Sequence, residues 1–246
     1  MRLDRRQANE LREIILQRGA QKFPAGSALI EVGNTKVLCA ATIEDKVPHF
    51  LKGTGTGWLT AEYSMLPGSS PERIPRERSS KVNGRSVEIQ RLIGRALRAV
   101  TDLTTIGERT ITIDCDVLQA DGGTRTASIT GAFVALVEAC ETIYKIGDAF
   151  PVKDFVAAIS AGISADGEKI LDLCYAEDST ASADCNVVMT GAGELVEVQI
   201  TAEKKSFTRA QLNDLLDMAA RGIDELIALQ KDALGRELVW RVGRVG

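Results

Sequence analysis

The sequence predicts a mixed α/β fold, α+β in character, in which a single domain is assembled from two pseudo-related β/α halves with mixed sheets and packed helices. Three observations predict it. Strand-like runs lead into a helix-like run twice, once before Pro151 and once after it. At each change the spacing of apolar residues switches from a strand period to a helical one. No Pro/Ser-rich linker divides the halves, although their identity is too low to make a repeat. The folded unit is expected over residues 1–235, and 236–246 is expected to be a poorly packed tail unless a neighbouring subunit covers it.

Residues 27–43, SALIEVGNTKVLCAATI, are two β-rich runs joined at Gly33 and Asn34, a hairpin signal. Gly53, Gly55 and Gly57 then mark a loop that feeds a strand over 58–66. Phe50, Trp58 and Tyr63 suit either core packing or stacking on bases. Prolines 67, 71 and 75 make the stretch to Val82 a loop. After it, Ser86 is expected to cap a helix whose apolar face is Ile89, Leu92, Ile93, Ala96, Leu97 and Val100.

Ile111, Ile113, Cys115 and Val117 alternate with Thr112, Asp114, Asp116 and Leu118, as in a strand with one buried face. Beyond Gly122 and Gly123, Ile129, Phe133, Leu136, Val137 and Cys140 recur at helical spacing. In the second half, strands are expected over 155–164, 169–175 and 186–201, the last folded on Gly191, Ala192 and Gly193. The closing helix opens with a capping box, Thr208 with Gln211, and a hydrophobic staple, Phe207 with Leu212. Its core stripe runs through Leu212, Leu215, Leu216, Ala219, Ile223, Leu226 and Ile227, and Gly235 ends it.

With 44% hydrophobic and 26% charged residues, the 246-residue chain has the composition of a globular protein with a sizeable core. No run approaches the length of a membrane span and MRLDRRQANELR lacks the apolar segment of a signal peptide, so a cytoplasmic protein without a membrane partner is expected. The cysteines, Cys39, Cys115, Cys140, Cys174 and Cys185, include no C-x-x-C pair and read as reduced, mostly buried thiols. A single histidine, His49, excludes multi-histidine zinc sites and disfavours a Ser-His-Asp triad. Catalysis must then rest on carboxylates, arginines, hydroxyls or a metal held by oxygen.

The candidate site begins at 119–133, QADGGTRTASITGAF, where a strand breaks on two glycines and a helix begins. Open backbone N–H groups and the helix dipole make such a start an anion site. Thr124, Thr126 and Ser128 add hydroxyl donors, and Arg125 adds a planar fork suited to phosphate or carboxylate. The same residues also suit an ordinary capped helix with an exposed arginine, and they match neither a Walker A loop nor a Rossmann turn.

A net charge of −4 accompanies a local excess of five positive charges between Glu72 and Arg98, which suggests a specific polyanion site in an acidic protein. At ~100° per residue, Arg91, Arg95 and Arg98 share the helix face opposite the apolar one, as a solvated face or as a phosphate grip. In YAEDSTASADCN, Glu177, Asp178 and Asp184 read as surface acids, or as carboxylates converging from the ends of adjacent strands to hold Mg²⁺ or a proton. Asp114 and Asp116, two apart on one strand, form a weaker second pair.

Six stretches together, LDRR, GNTKVLCAA, GWLTAEYSMLP, GRSVEIQRLIGRALRA, DCDVLQADGGTRTASITGAF and DLCYAEDSTASADCNVVMTG, carry a resemblance to the bacterial RNase PH family. It covers nearly the whole chain before Gly235. The resemblance implies a phosphorolytic 3′ exoribonuclease that trims tRNA precursors, with inorganic phosphate as co-substrate, in the RNase PH fold. It places the phosphate site on Arg85, Gly123, Thr124 and Arg125, and the catalytic or Mg²⁺-holding aspartates on Asp178 and Asp184. It also implies a homohexameric ring, a trimer of dimers, with Arg73 and Arg76 in a loop used for assembly and RNA contact. Arg91, Arg95 and Arg98 join them as candidates for the same roles. Gly68 stands where many relatives carry another arginine. Two alternatives remain: a non-catalytic RNA-binding ring subunit of an exosome-like assembly, and a small-molecule kinase of related fold. The first tends to lose the arginine and aspartate positions kept here; the second needs a glycine-serine ATP loop that is absent.

Overall fold

The computed structural model describes residues 2, 4–77 and 83–244. Arg78 and Lys81 of the basic stretch, and Leu3 of the first motif, lie outside the described residues. Two sheets form, one from each half. The first contains β1 (Ile14–Arg18), β2 (Gly26–Val32), β3 (Thr35–Glu44), β4 (Trp58–Met65) and β5 (Thr110–Gln119), in the order β1-β2-β3-β5-β4. Val32 pairs with Thr35 across Gly33 and Asn34, the expected two-residue hairpin. Strand β4 runs parallel to β5, the only parallel pairing among the named strands. A parallel pair needs a crossover, and α1 (Gly84–Ala99) with the short α2 (Leu103–Ile106) supplies it.

In the second sheet, β6 (Val156–Ile163), β7 (Lys169–Leu171), β8 (Ala183–Thr190) and β9 (Leu195–Ala202) are ordered β7-β6-β8-β9, all antiparallel. Strand β8 therefore begins at Ala183, earlier than the expected 186, and Asp184 belongs to a strand instead of a loop. The expected strand 169–175 stops at Leu171, and a one-turn helix, α4 (Tyr175–Asp178), follows.

Between the sheets lies α3 (Thr124–Ile143), which packs on β2 and β3 on one side and on β6 on the other. A helix clasped by two sheets must be apolar all round, so Val134, Ala135 and Ala139 are buried beside the expected Ile129, Phe133, Leu136, Val137 and Cys140. This corrects the reading that no run reaches the length of a membrane span. At 20 residues and mean hydropathy 1.3, α3 does so by length and composition, and 78% of that apolar window is buried inside the fold. The approach of β2 is close: a Cβ on Gly26 would run into the Ala135 carbonyl and the Ala139 amide.

The α1 face is buried as expected, but Asn83 caps the helix by accepting from the Arg85 amide. Ser86 instead donates to Glu77 Oε1 at 2.6 Å, so its hydroxyl ties the preceding loop to the first turn. Helix α5 (Arg209–Leu234) shows both hydrogen bonds of the Thr208/Gln211 capping box and ends at Gly235 with φ 75°. It is pinned from within by Gln230, whose amide donates to the carbonyls of Thr130 in α3 and Val156 in β6.

The expectation of a poorly packed tail fails for 236–244. A short helix, α6 (Arg236–Val239), buries Leu238, and Arg241 donates to the Tyr144 carbonyl at 2.6 Å with its guanidinium over the Phe150 ring. Arginine stems and planar heads cover apolar surface well, which apolar periodicity does not register. Four cysteines are buried and Cys174 is half-buried, all as free thiols.

Candidate active site

The Gly122–Gly123 turn is the part of the site that the fold controls most tightly. Both glycines have left-handed backbones, φ 77° and 67°, a conformation that costs other residues energy. Space imposes a second demand at Gly122, where a Cβ would lie 2.6 Å from the Leu173 carbonyl oxygen and 2.8 Å from the Tyr175 amide. Since Tyr175 starts α4, the turn is pressed against the helix that carries Asp178.

Asp121 completes the contact. Its carboxylate accepts from the Tyr175 amide at 3.3 Å and from Asn34 at 3.2 Å, while its own amide donates to Thr35 Oγ1 at 2.9 Å. Arg12 donates to the Asp121 carbonyl at 2.6 Å and is itself held by Asp172 through three hydrogen bonds of 2.6–2.9 Å. Asp172 is buried and has φ 53°, and the Arg12 guanidinium helps hold its carboxyl below the ordinary range against the opposing effect of burial. Glu177, next to Asp178, is similarly depressed despite burial, by a bidentate bond from Arg2 at 2.7 Å. Neither Arg2 nor Arg12 carries a sequence signal of its own, and Asp121 and Asp172, though inside motif stretches, are not singled out by them; each acts through a partner distant in the chain.

At the start of α3, Gly123 occupies the cap position and no side chain caps the helix, which leaves its first-turn N–H groups without a capping side chain, as an anion site requires. Of the three hydroxyls expected to assist, two are otherwise engaged. Thr126 donates to the Gly123 carbonyl at 2.9 Å and Ser128 to the Thr124 carbonyl at 2.8 Å. Thr124 keeps its place in the site, 2.9 Å from the hydroxyl of Tyr63, a core residue of β4. Arg125 is aimed by Gln199 of β9, whose side-chain oxygen accepts from it at 2.6 Å, and by Glu88 of α1 at 3.7 Å.

Arg85, exposed at the start of α1, and Arg125 both act electrostatically on the Tyr63 phenol and on the Asp178 carboxyl. Asp178 stands at the end of α4 and Asp184 on β8, so the carboxylates come from a helix end and a strand and not, as expected, from two strand ends. Desolvation by its surroundings and the negative charge of Asp184 push the Asp178 carboxyl up, while Arg85 and Arg125 pull it back.

The remaining candidates lie elsewhere. Asp114 and Asp116 face away from the apolar side of β5, and both are pushed up, Asp114 by burial, Asp116 and Glu62, and Asp116 by burial against the pull of Arg76. Arg73, Arg76 and Arg91 are exposed. Arg95 is bonded to Glu197 of β9 at 2.7 Å. Arg98 turns back on β4, donating to the Leu59 carbonyl at 2.8 Å beneath the Trp58 ring, which separates it from the open face. Of the aromatic residues, Tyr63 belongs to the core, whereas Phe50 is 67% exposed and meets Trp58 edge-on.

Comparison with known proteins bears on this arrangement directly. A model described as the 3′ exoribonuclease family, domain 1, matches residues 10–140, and domain 2 of that family matches 154–222. Ribonuclease PH of Bacillus cereus (strain G9842) is 58% identical over 238 residues, covering 96% of this chain and 97% of its own. Ribonuclease PH of Bacillus anthracis (strain A0248) matches to the same extent, 58% over 238 residues. The chain belongs to the RNase PH family. The match to domain 1 spans Arg85 and the Gly122–Arg125 turn, and the match to domain 2 spans Asp178 and Asp184, so the candidate residues are drawn from both. Solved structures share this fold at low identity. A rice (Oryza sativa) Rrp46 structure has a TM-score of 0.78 at 19% identity, covering 95% of this chain and 100% of its own. An Archaeoglobus fulgidus exosome with RNA bound to the active site has a TM-score of 0.79 at 20% identity, over 94% and 92%.

The Arg12–Asp172 pair gives a pH-dependent expectation. Asp172 has a lower carboxyl pKa folded than unfolded, so its contribution to stability is present above an unfolded value near ~3.9 and drains as pH falls through the lower folded value. Asp172→Asn leaves a buried arginine without its counter-charge and is expected to cost ~3–5 kcal/mol at neutral pH. Urea titrations between neutral pH and pH ~3 should show a steeper acid loss in wild type than in the variant.

Proposed function

We propose that the protein removes nucleotides from RNA 3′ ends by phosphorolysis, acting in the cytoplasm on tRNA precursors. The observation that carries this reading is the uncapped helix start at Gly123, with the Thr124 hydroxyl beside it and the Gly122 turn packed on the helix that bears Asp178; Arg85 and Arg125 both act electrostatically on that carboxyl. Anion donors beside a carboxyl with a raised pKa are what an attacking phosphate and a departing alkoxide require.

Arg85, Arg125, the Thr124 hydroxyl and the N–H groups following Gly123 hold inorganic phosphate, already a competent nucleophile near neutral pH. Its oxygen attacks the phosphorus of the last phosphodiester. A P–O bond forms to the terminal nucleotide, the bond to the preceding 3′ oxygen breaks, and a nucleoside diphosphate leaves. Asp178 is suited to deliver a proton to that 3′ oxygen, because desolvation and the charge of Asp184 disfavour its ionised form. No group of three or more His, Cys, Asp or Glu residues suited to a metal occurs among the described residues. Mg²⁺ accepts as few as one or two carboxylates with substrate oxygens completing its shell, so Asp178 and Asp184 fit it on that basis. When bound there, the ion would hold Asp178 ionised and would supply neutralisation of phosphoryl and leaving-oxygen charge in place of its proton.

Arg73, Arg76 and Arg91 provide exposed positive charge for RNA or for neighbouring subunits of a homohexamer, a trimer of dimers. Light scattering is expected to give six times the 26.5 kDa chain mass, and a monomer or dimer at working concentration would exclude the ring.

Incubation with RNA should release nucleoside diphosphates only when phosphate is present; release of monophosphates, or no dependence on phosphate, would sink the reading. Arg125→Ala should lose ~2 kcal/mol in kcat/KM for phosphate, roughly 30-fold, and wild-type kinetics would remove Arg125 from the site. Asp184→Asn should leave assembly intact and turnover severely reduced. The neighbouring negative charge being gone, Asp178 should lose its proton at lower pH, so the alkaline limb of the residual rate should shift downward. An unshifted limb would show that Asp178 is not the acid.

A further inference from the structure

The phenol of Tyr63 is a buried polar group with no part in the reaction as derived above. It stands on the core side of β4, 2% exposed, with its oxygen 2.9 Å from Thr124 Oγ1 and either atom free to donate. A hydroxyl has one proton to give. If Thr124 gives its proton to Tyr63, none is left for an anion. If Tyr63 gives its proton to Thr124, the threonine proton is released toward the helix start. No other hydroxyl of that start can substitute, because Thr126 and Ser128 are committed to the Gly123 and Thr124 carbonyls.

We propose that Tyr63 is a positioning residue of the phosphate site: its O–H donates to Thr124 Oγ1 and so turns the threonine proton toward bound inorganic phosphate. The proposal rests on the assignment of phosphate to the Thr124 turn. Burial raises the phenol pKa, so Tyr63 keeps the proton it must donate throughout the neutral range. Arg85 and Arg125, acting on the same phenol, mark the neighbourhood as the one an anion would enter. The link also crosses between elements, since β4 precedes the α1 crossover and Thr124 opens α3.

A double-mutant cycle on the full-length enzyme tests it, with the KM for inorganic phosphate as readout and the KM for RNA as reference. Tyr63→Phe, which removes one oxygen and keeps the ring, is expected to raise the phosphate KM about three- to tenfold with little change in the RNA KM. Thr124→Val should raise it at least as far, and Tyr63→Phe added to Thr124→Val should cause no further loss. Thr124→Ser, which retains a hydroxyl, should recover most of the phosphate affinity and remain sensitive to Tyr63→Phe. Additive losses in the cycle overturn the proposal, because Tyr63 would then act by packing alone. An unchanged phosphate KM in Tyr63→Phe overturns it too while leaving the phosphate assignment standing. An unchanged phosphate KM in Thr124→Val overturns the assignment itself.

Discussion

The buried ion pair between Arg12 and Asp172 is the constraint on which the site depends. Burying two charges costs several kcal/mol per ion unless the geometry is good and the remaining donors are satisfied. Here the geometry is good. The arginine spends its backbone amide, Nε and one Nη on the carboxylate and its other Nη on the Asp121 carbonyl. Asp172 accepts a left-handed backbone, at a cost of order 1 kcal/mol, because glycine would offer no carboxylate. One side chain from the first half thus fixes the strand end of the second half and the Gly122–Gly123 turn together. With Gly122 pressed on residues 173–175, that turn and the Asp178 helix form one packed unit.

Electrostatics within that unit are divided between two depths. The deeper layer, Arg2, Arg12, Asp172 and Glu177, is paired, and pairing holds its carboxyls below their ordinary values against burial. The outer layer, Arg85, Arg125, Asp178 and Asp184, is less fully neutralised. Desolvation, helped by the like charge of Asp184, raises the Asp178 pKa against the pull of both arginines. Neighbouring acids of adjacent sequence number, Glu177 and Asp178, thereby take opposite shifts. A structural carboxylate and a protonatable one can share a single helical turn because one faces the Arg2 clamp and the other faces Asp184.

Much of the fold was legible in the sequence wherever one face of an element meets solvent. The alternation along β5, the apolar face of α1 and the capping box of α5 are all visible because burial there is one-sided. Legibility was partial for the helix buried on every side and failed where packing is polar, although the fully buried strand β6 was still read from its apolar run. Helix α3, clasped between sheets, has apolar residues on every side, so its stripe was only part of its core surface. The tail hid its packing in Arg241, which reads as a solvent residue but lies flat on Phe150. Within the site, Thr124, Arg125, Asp178 and Asp184 could be named from motif positions. Which hydroxyl stays uncommitted could not, since the carbonyl partners of Thr126 and Ser128 appear only once the helix start is built. Gln199 aims Arg125 from 74 residues away, and no local pattern announces it.

The opening dozen residues are, in many globular proteins, the expendable part of the chain. In this molecule Arg2, Arg6 and Arg12 reach across to Asp172 and Glu177, so the N-terminal arm belongs spatially to the second half. A version of this protein trimmed back to its first strand would lose the bolts of a helix more than 150 positions downstream. Affinity handles and domain fusions are accordingly better placed away from Arg2, and a circular permutant that severed this arm would separate the Asp178 helix from its support without touching either aspartate.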